Sequence, residues 1–441
     1  MKNKSRAKFL AALIIFSLTG QIAWVVENMY FNVFIYKMFN ASASDISLMV
    51  AASAVSATLT TLLIGALADK LGKRKVFICG GYILWGASIL SFALIRTDII
   101  GAIFPSAVSA SAIAITLVII MDCVMTFFGS SANDAAFNAW LTDSTDSTNR
   151  GSAEGINAMM PLVAILAVFG GFMSFDLSKS SSWTAIFIII GVAVTVIGII
   201  GIFIITEPAV NTTENTSYFK NIFYGFMPTV IKQNKGLYLV LIAFAVFNIS
   251  IQIFMPYLIL YYDVSLGMEN YVFIMAPAII LASVFTAIWG RIYDRLRFGK
   301  SVIPSLSLLA AGYIILFFFK STAPVFIGSL LMMCGYLSGM AVFGAVIREH
   351  TPENKSGMFQ GLRIVSQVLI PGIIGPAIGA AVLKNAEKVV GDDGTASFIP
   401  NQNIFLAALI VIAVLSVLLF VIFKLLNKNK EVNVNEEMQN S

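Results

Sequence analysis

Gly65-Ala-Leu-Ala-Asp69-Lys70-Leu-Gly72-Lys73-Arg74-Lys75 sets a short charged turn between two long apolar runs. A second copy, Gly290-Arg291-Ile-Tyr-Asp294-Arg295-Leu296-Arg297-Phe-Gly299-Lys300, follows 225 residues later, about half of the 441. A Gly-x-x-x-Asp-[Lys/Arg]-Leu pattern in corresponding places predicts a chain of two related halves. Glycine lets neighbouring helices approach closely, the aspartate sits near a helix end, and the cations hold the turn on one side of a membrane. The second copy carries two extra residues before its later glycine.

Outward from these turns the composition is that of a lipid-embedded protein. The chain is 58% hydrophobic and 12% charged, with a mean hydropathy of +0.88, whereas soluble domains carry about 25% charged residues. Apolar runs of spanning length fall near 9–36, 45–68, 76–95, 109–140, 153–175, 183–206, 236–262, 271–290, 302–319, 324–347, 357–383 and 404–424. Each is long enough to cross a bilayer as a helix, and the alternating ten-residue segments of a barrel are absent. The basic start, Met1 to Lys8, has the flavour of a secretory leader, but the apolar run behind it continues through Trp24 to Tyr36 without a small-residue cleavage site, so it reads as the first span.

Basic residues cluster in alternate loops. Lys2, Lys4, Arg6 and Lys8, the first turn, Arg150, Lys220, Lys232 and Lys235, the second turn, Arg348 and Lys355, and Lys424, Lys428 and Lys430 fall on one side; only Lys37, Arg96, Lys179, Lys320, Lys384 and Lys388 fall on the other. This asymmetry predicts both termini on the cytoplasmic side of the plasma membrane. The net charge of +5 is therefore a topology signal, and no nucleic-acid partner is expected. Cys79, Cys123 and Cys334 lie in apolar runs with no ligand spacing, and the sole histidine is His350. No metal, no cofactor and no enzyme activity are expected.

The organisation expected is an N-terminal six-helix bundle over 1–206, a cytoplasmic linker with an interfacial helix over 207–235, a C-terminal six-helix bundle over 236–424 and a disordered cytoplasmic tail over 425–441. A monomer in the bilayer suffices for such a body.

The first turn resembles the loop motif between helices 2 and 3 of the major facilitator superfamily, matching its Gly, Asp, basic residue, Gly and basic pair; the second resembles the echo between helices 8 and 9. That resemblance implies an all-α membrane fold of twelve helices in two pseudo-symmetric six-helix bundles around a polar cavity. It also implies a gating role for Gly65, Asp69, Lys70, Gly72, Lys73, Arg74, Gly290, Asp294 and Arg295.

Polar and ionisable groups inside spans are costly unless they face a cavity or a partner. In span 1, Gln21, Trp24, Asn28 and Asn32 share one helical face, with Glu27 and Phe31 beside them. Amides, a carboxylate and aromatic plates suit a polar ring-shaped solute. Inter-helix hydrogen bonding is the competing reading. Span 4 carries Asp122, Asn133, Asp134 and Asn138. In span 7 Asn248 and Gln252 stand four apart, and in span 11 Arg363 and Gln367 do the same before Pro371 and Pro376. An Arg with an amide one turn away grips hydroxyls or a carboxylate, or else reaches to lipid phosphates.

Asn133 to Arg150 also resembles the span 4 and following loop of the glycoside-pentoside-hexuronide cation symporters, the melibiose carrier group. The resemblance implies a sugar-binding role for Asp134 and an inner-gate role for Arg150. The group's sugar-binding Arg falls near Asn157 or Ala158, and its paired sodium aspartates fall at Ala57 and Thr61, so a sodium site of that type is not expected. Coupling then falls to protons through Glu27, Asp122, Asp134 or Glu154, since a carboxyl group in apolar surroundings can load and release a proton. The expected function is secondary transport of a small polar solute, a sugar or glycoside, with H+ or another cation. Efflux of drugs or metabolites by the same fold is the alternative.

Overall fold

The computed structural model describes the backbone of residues 2–105, 109–145, 149–207, 223–351, 356–390 and 396–439. The side chains of 2–6, Asp69, Arg150, Gly151, Asp294, 356–358, Gln360, Val390 and 425–439 lie outside the described residues. Among the described residues, twelve helices are long and apolar enough to cross a membrane. Spans 1 to 6 are Ala7–Phe39, Ala43–Ala68, Arg74–Phe92, Ala110–Asp143, Ser152–Phe172 and Ser180–Ile204. Spans 7 to 12 are Lys235–Ser265, Val272–Tyr293, Arg295–Phe318, Thr322–His350, Gly361–Leu383 and Asn403–Lys424. The last helix continues to Gln439.

By its contacts the chain divides into two compact units. Unit 1 comprises Met1–Ile222, Pro256–Val272 and Lys384–Pro400; unit 2 comprises Phe223–Met255, Phe273–Leu383 and Asn401–Ser441. In unit 1, span 1 packs on spans 5 and 6, span 2 on span 4, and span 3 on span 6. In unit 2, span 7 packs on spans 11 and 12. The first helix of each half thus touches the fifth and sixth of that half, the pairing a duplicated body requires.

Spans 3 and 6 run backbone against backbone. A Cβ on Gly86 would lie 2.5 Å from the Thr195 nitrogen and 2.6 Å from the Gly191 oxygen, so neither Gly86 nor Gly191 tolerates a side chain without separating the helices.

The turn that opened the sequence ends span 2 with Gly72 in the left-handed conformation, φ 62°, its N–H donating to the Ala68 carbonyl. The second copy shows where the repeat is kept. The helix running through spans 8 and 9 breaks at Arg297, with φ 61° and ψ 177°, and Arg297 stands seven residues after Gly290, as Gly72 does after Gly65. The later Gly299, which the sequence invites one to align with Gly72, does not take the turn. Its φ is not among the positive values.

Two features depart from uniform helix. Span 7 tightens to a 3₁₀ turn at Met255–Tyr257, around the Pro256 that cannot donate a backbone bond. Between spans 11 and 12 a short antiparallel hairpin forms, β1 (Lys388–Val390) and β2 (Ala396–Phe398), with Lys388 opposite Phe398. The interfacial helix expected in the linker falls mostly on residues 208–222, outside the described residues; from Tyr224 to Phe226 the backbone makes a 3₁₀ turn.

Candidate functional site

Among the described residues, four spans widen locally into π-helical turns: Val26–Tyr30, Ser130–Phe137, Tyr261–Ser265 and Val365–Leu369. Such turns insert an extra residue into the helical ladder, re-aim side chains and frequently mark functional sites. Three of the four carry residues the sequence singles out: Glu27 and Asn28, Asn133 and Asp134, and Gln367, with Arg363 just before the last.

In unit 1, Glu27 is buried at 6% exposure. Its Oε1 accepts hydrogen bonds from the Ser53 hydroxyl at 2.7 Å and the Thr126 hydroxyl at 2.8 Å, and those hydroxyls lie 2.9 Å apart. Spans 1, 2 and 4 therefore meet on one carboxyl oxygen. Asp122, one turn before Thr126 and 2% exposed, lies beside this group, with the Ser53 hydroxyl close to it as well. Glu27 Oε2 and Asp122 Oδ1 are buried and have no donor among the described residues. Each of these two neighbouring buried carboxyls thus keeps one oxygen that no donor among the described residues reaches, a costly arrangement for an ionised pair.

Asn133 serves a different purpose. It is 4% exposed; its carbonyl accepts from the Trp24 indole at 3.3 Å and its amide donates to the Tyr82 hydroxyl at 2.7 Å, which donates to the Phe16 carbonyl at 2.7 Å. This chain ties spans 1, 3 and 4 together. Asp134, half-buried, accepts from Ser130 at 2.9 Å. Of the span 1 amides, Asn28 donates to the Trp24 carbonyl at 2.8 Å and Asn32, fully buried, to the Asn28 carbonyl at 3.1 Å. Both amide N–H groups are turned back on their own helix. Gln21 is half-buried and Glu154 exposed.

In unit 2, Asn248 is 6% exposed and donates to the Phe244 carbonyl at 2.8 Å. Gln252 meets span 11 where Gly375 allows the closest approach, and Arg363 and Gln367 are half-buried on that span. Spans 7 and 11 pack against each other, with Gln252 at Gly375, while Asn248 turns back on its own helix.

Arg74, 4% exposed, places its Nε 3.0 Å from Asp143 Oδ2 at the end of span 4. Glu207, after span 6, accepts from the backbone N–H groups of Arg74 and Lys75, the unsatisfied donors of the span 3 N-terminus. Arg74 thus ties spans 3 and 4 together. Lys70, Lys73 and Arg295 are exposed, as is Arg291. The side chains of Asp69, Asp294 and Arg150 lie outside the described residues. Sequence reasoning missed Ser53, Tyr82, Thr126 and Ser130, because Ser, Thr and Tyr in apolar runs carry no pattern that separates a functional hydroxyl from one bonded to its own helix.

Twelve spans with the same helix pairing in each half make a multi-pass membrane protein of two related halves. The chain belongs to the Major Facilitator Superfamily, whose family model matches residues 9–376. Solved structures of the same fold include a nucleoside transporter, NupG, in its D323A form, at 13% identity and TM-score 0.71, covering 94% of this chain and 99% of that one. A bacterial homologue of the human lysosomal transporter Spinster, in an inward-facing and occupied conformation, shares 14% identity at TM-score 0.69, with coverage of 95% and 97%. The xylose transporter XylE from E. coli, in a partially occluded inward-open conformation, shares 12% identity at TM-score 0.66, with coverage of 93% and 96%. No curated protein sequence matches significantly. At these identities the likeness is one of fold.

Proposed function

We propose that the chain moves a small ring-shaped polar solute, a sugar or glycoside, by alternating access, coupled to a proton or another small cation at the Glu27–Asp122 pair. The observation that carries this reading is the pair itself. Two carboxyls sunk among spans 1, 2 and 4, one of them on a π-helical turn and each with an oxygen lacking a donor, are expensive in a bilayer unless they take up a cation during function. Asp134 on the span 4 turn and the Arg363–Gln367 pair on span 11 supply charged groups able to grip hydroxyls. The fold relatives whose names mention nucleosides and xylose support a hydroxyl-bearing ring as cargo. The basic loops support cytoplasmic termini and a plasma-membrane location.

A thermal-shift panel of sugars, nucleosides, amino acids and hydrophobic drugs on detergent-solubilised protein at two pH values tests the assignment. A ligand at a hundredfold its Kd stabilises the native state by about 2.7 kcal/mol. A sugar or nucleoside is expected to raise the melting temperature, and Asp134→Asn to abolish that rise. Shifts confined to hydrophobic drugs would replace the solute class with efflux of such compounds.

A further inference from the structure

The hairpin between spans 11 and 12 is not a slack connection. The helices on either side of it group with unit 2, yet Lys384–Pro400 packs as part of unit 1, together with the Pro256–Val272 end of span 7. The hydrogen bonds that place it there are specific. The Tyr36 hydroxyl, at the end of span 1, donates to the Phe398 carbonyl at 2.5 Å, and the Ser397 hydroxyl donates to the Asn40 side-chain oxygen at 2.7 Å. Asn40 caps span 1 in the left-handed conformation, φ 54°, a geometry Asn tolerates better than most residues and one that frees its side chain to reach the hairpin.

The Phe398 ring, 7% exposed, meets the rings of Tyr36 at 5.2 Å and Tyr257 at 6.3 Å. Tyr257 in turn donates to the Ala43 carbonyl at 2.9 Å, and Ser265 to the carbonyl of Pro400. Lys37 closes on Asp263 at 2.5 Å, with side chains 18% and 16% exposed. All these contacts lie at the ends of spans 1 and 7 and in the loops after spans 1 and 11, which chain connectivity puts on the face opposite the termini.

A strand pair that joins spans 11 and 12, yet is held by the buried Tyr36 at the end of span 1, is suited to be fastened and released. We propose that the strand Ala396–Phe398 and the residues from it to Pro400 form a clasp on the face opposite the termini. Phe398 and Ser397 seat it on Tyr36, Asn40 and Tyr257, and it lets go each time the transporter opens to that face. This rests on the alternating-access reading above, though not on the identity of the solute.

The test needs no solute. Spin labels on S44C and A396C, two exposed positions, are placed in a background with Cys79, Cys123 and Cys334 replaced by alanine, and distances are measured by electron double resonance in lipid nanodiscs. Tyr36→Phe removes one hydroxyl and leaves the ring, while Phe398→Ala empties the seat. A lost hydrogen bond of ordinary strength changes a two-state ratio about fivefold. Tyr36→Phe is therefore expected to enlarge a longer-distance component about fivefold and Phe398→Ala to enlarge it further, while a control pair within the bundle, S44C and S178C, keeps its distance. One distance, unchanged in both variants, overturns the clasp. So does an equal shift in the control pair, because the bundle rather than the hairpin would then be loosening. Release of the hairpin in a protein that carries none of the ring solutes would remove the solute assignment and leave the clasp standing.

Discussion

Replacing Arg74 by methionine keeps most of the side-chain stem and deletes the charge that faces Asp143. Removing one member of a fully buried pair costs about 3–5 kcal/mol, because the other charge is left unpaired. Here the two side chains are 5% and 27% exposed, so water can reach part of the orphaned carboxylate, and the expected loss falls to about 2 kcal/mol, roughly a thirtyfold change in the folded-to-unfolded ratio. The Glu207 bonds to the backbone of Arg74 and Lys75 survive the substitution and do not enter the difference. The assay is a double-mutant cycle of Arg74→Met and Asp143→Asn, with unfolding followed by circular dichroism as SDS is titrated into mixed micelles. Removing both charges is expected to be less damaging than the sum of the single changes by about 1–2 kcal/mol. Additive losses, or an Arg74→Met protein as stable as the parent, would refute the claim that this motif residue binds spans 3 and 4 of its own unit.

Other expectations follow from single contacts. Gly86→Ala brings a Cβ within 2.6 Å of the Gly191 carbonyl and should destabilise the span 3–span 6 crossing by about 1–3 kcal/mol; the check is a lower melting temperature and a smaller folded fraction on size exclusion. Arg297→Gly should raise stability by about 1 kcal/mol, since a non-glycine residue at φ 61°, ψ 177° is strained and the exposed pair with Glu349 at 3.5 Å contributes little. A lower melting temperature for that variant would remove the strain argument. Glu27→Gln should keep solute binding while flattening the dependence of uptake on an imposed cation gradient, as read in proteoliposomes. Ser53→Ala, which removes one of the two hydroxyls on the same oxygen, should shift the cation dependence rather than abolish it.

The spans were legible because a bilayer demands long apolar helices, and the repeat because its Gly, Asp and cations recur. Glu27 and Asp122 were legible one by one, as carboxyls where lipid tolerates few. Their meeting was not, since it is made by Ser53 and Thr126 across three helices. The π-helical turns leave no compositional mark; only the excess of polar residues at 27–28 and 133–134 hints at them. Arg297 shows why motif matching alone misplaces a turn: the backbone keeps the spacing from Gly290 while the residue type changes. The hairpin did leave a signal, Val389-Val390-Gly391-Asp392-Asp393-Gly394 ahead of Phe398, with turn residues between short β-forming stretches, but a twelve-helix expectation reads it as loop.

The most direct measurement of the central claim is entrance counterflow in proteoliposomes preloaded with unlabelled xylose or uridine and given the labelled solute outside. A carrier whose buried carboxyls serve a site open to each side in turn should accumulate label transiently for at least one ring solute, and lose that overshoot with Asp134→Asn. Absence of overshoot for every sugar and nucleoside in protein that still binds one of them would contradict the account.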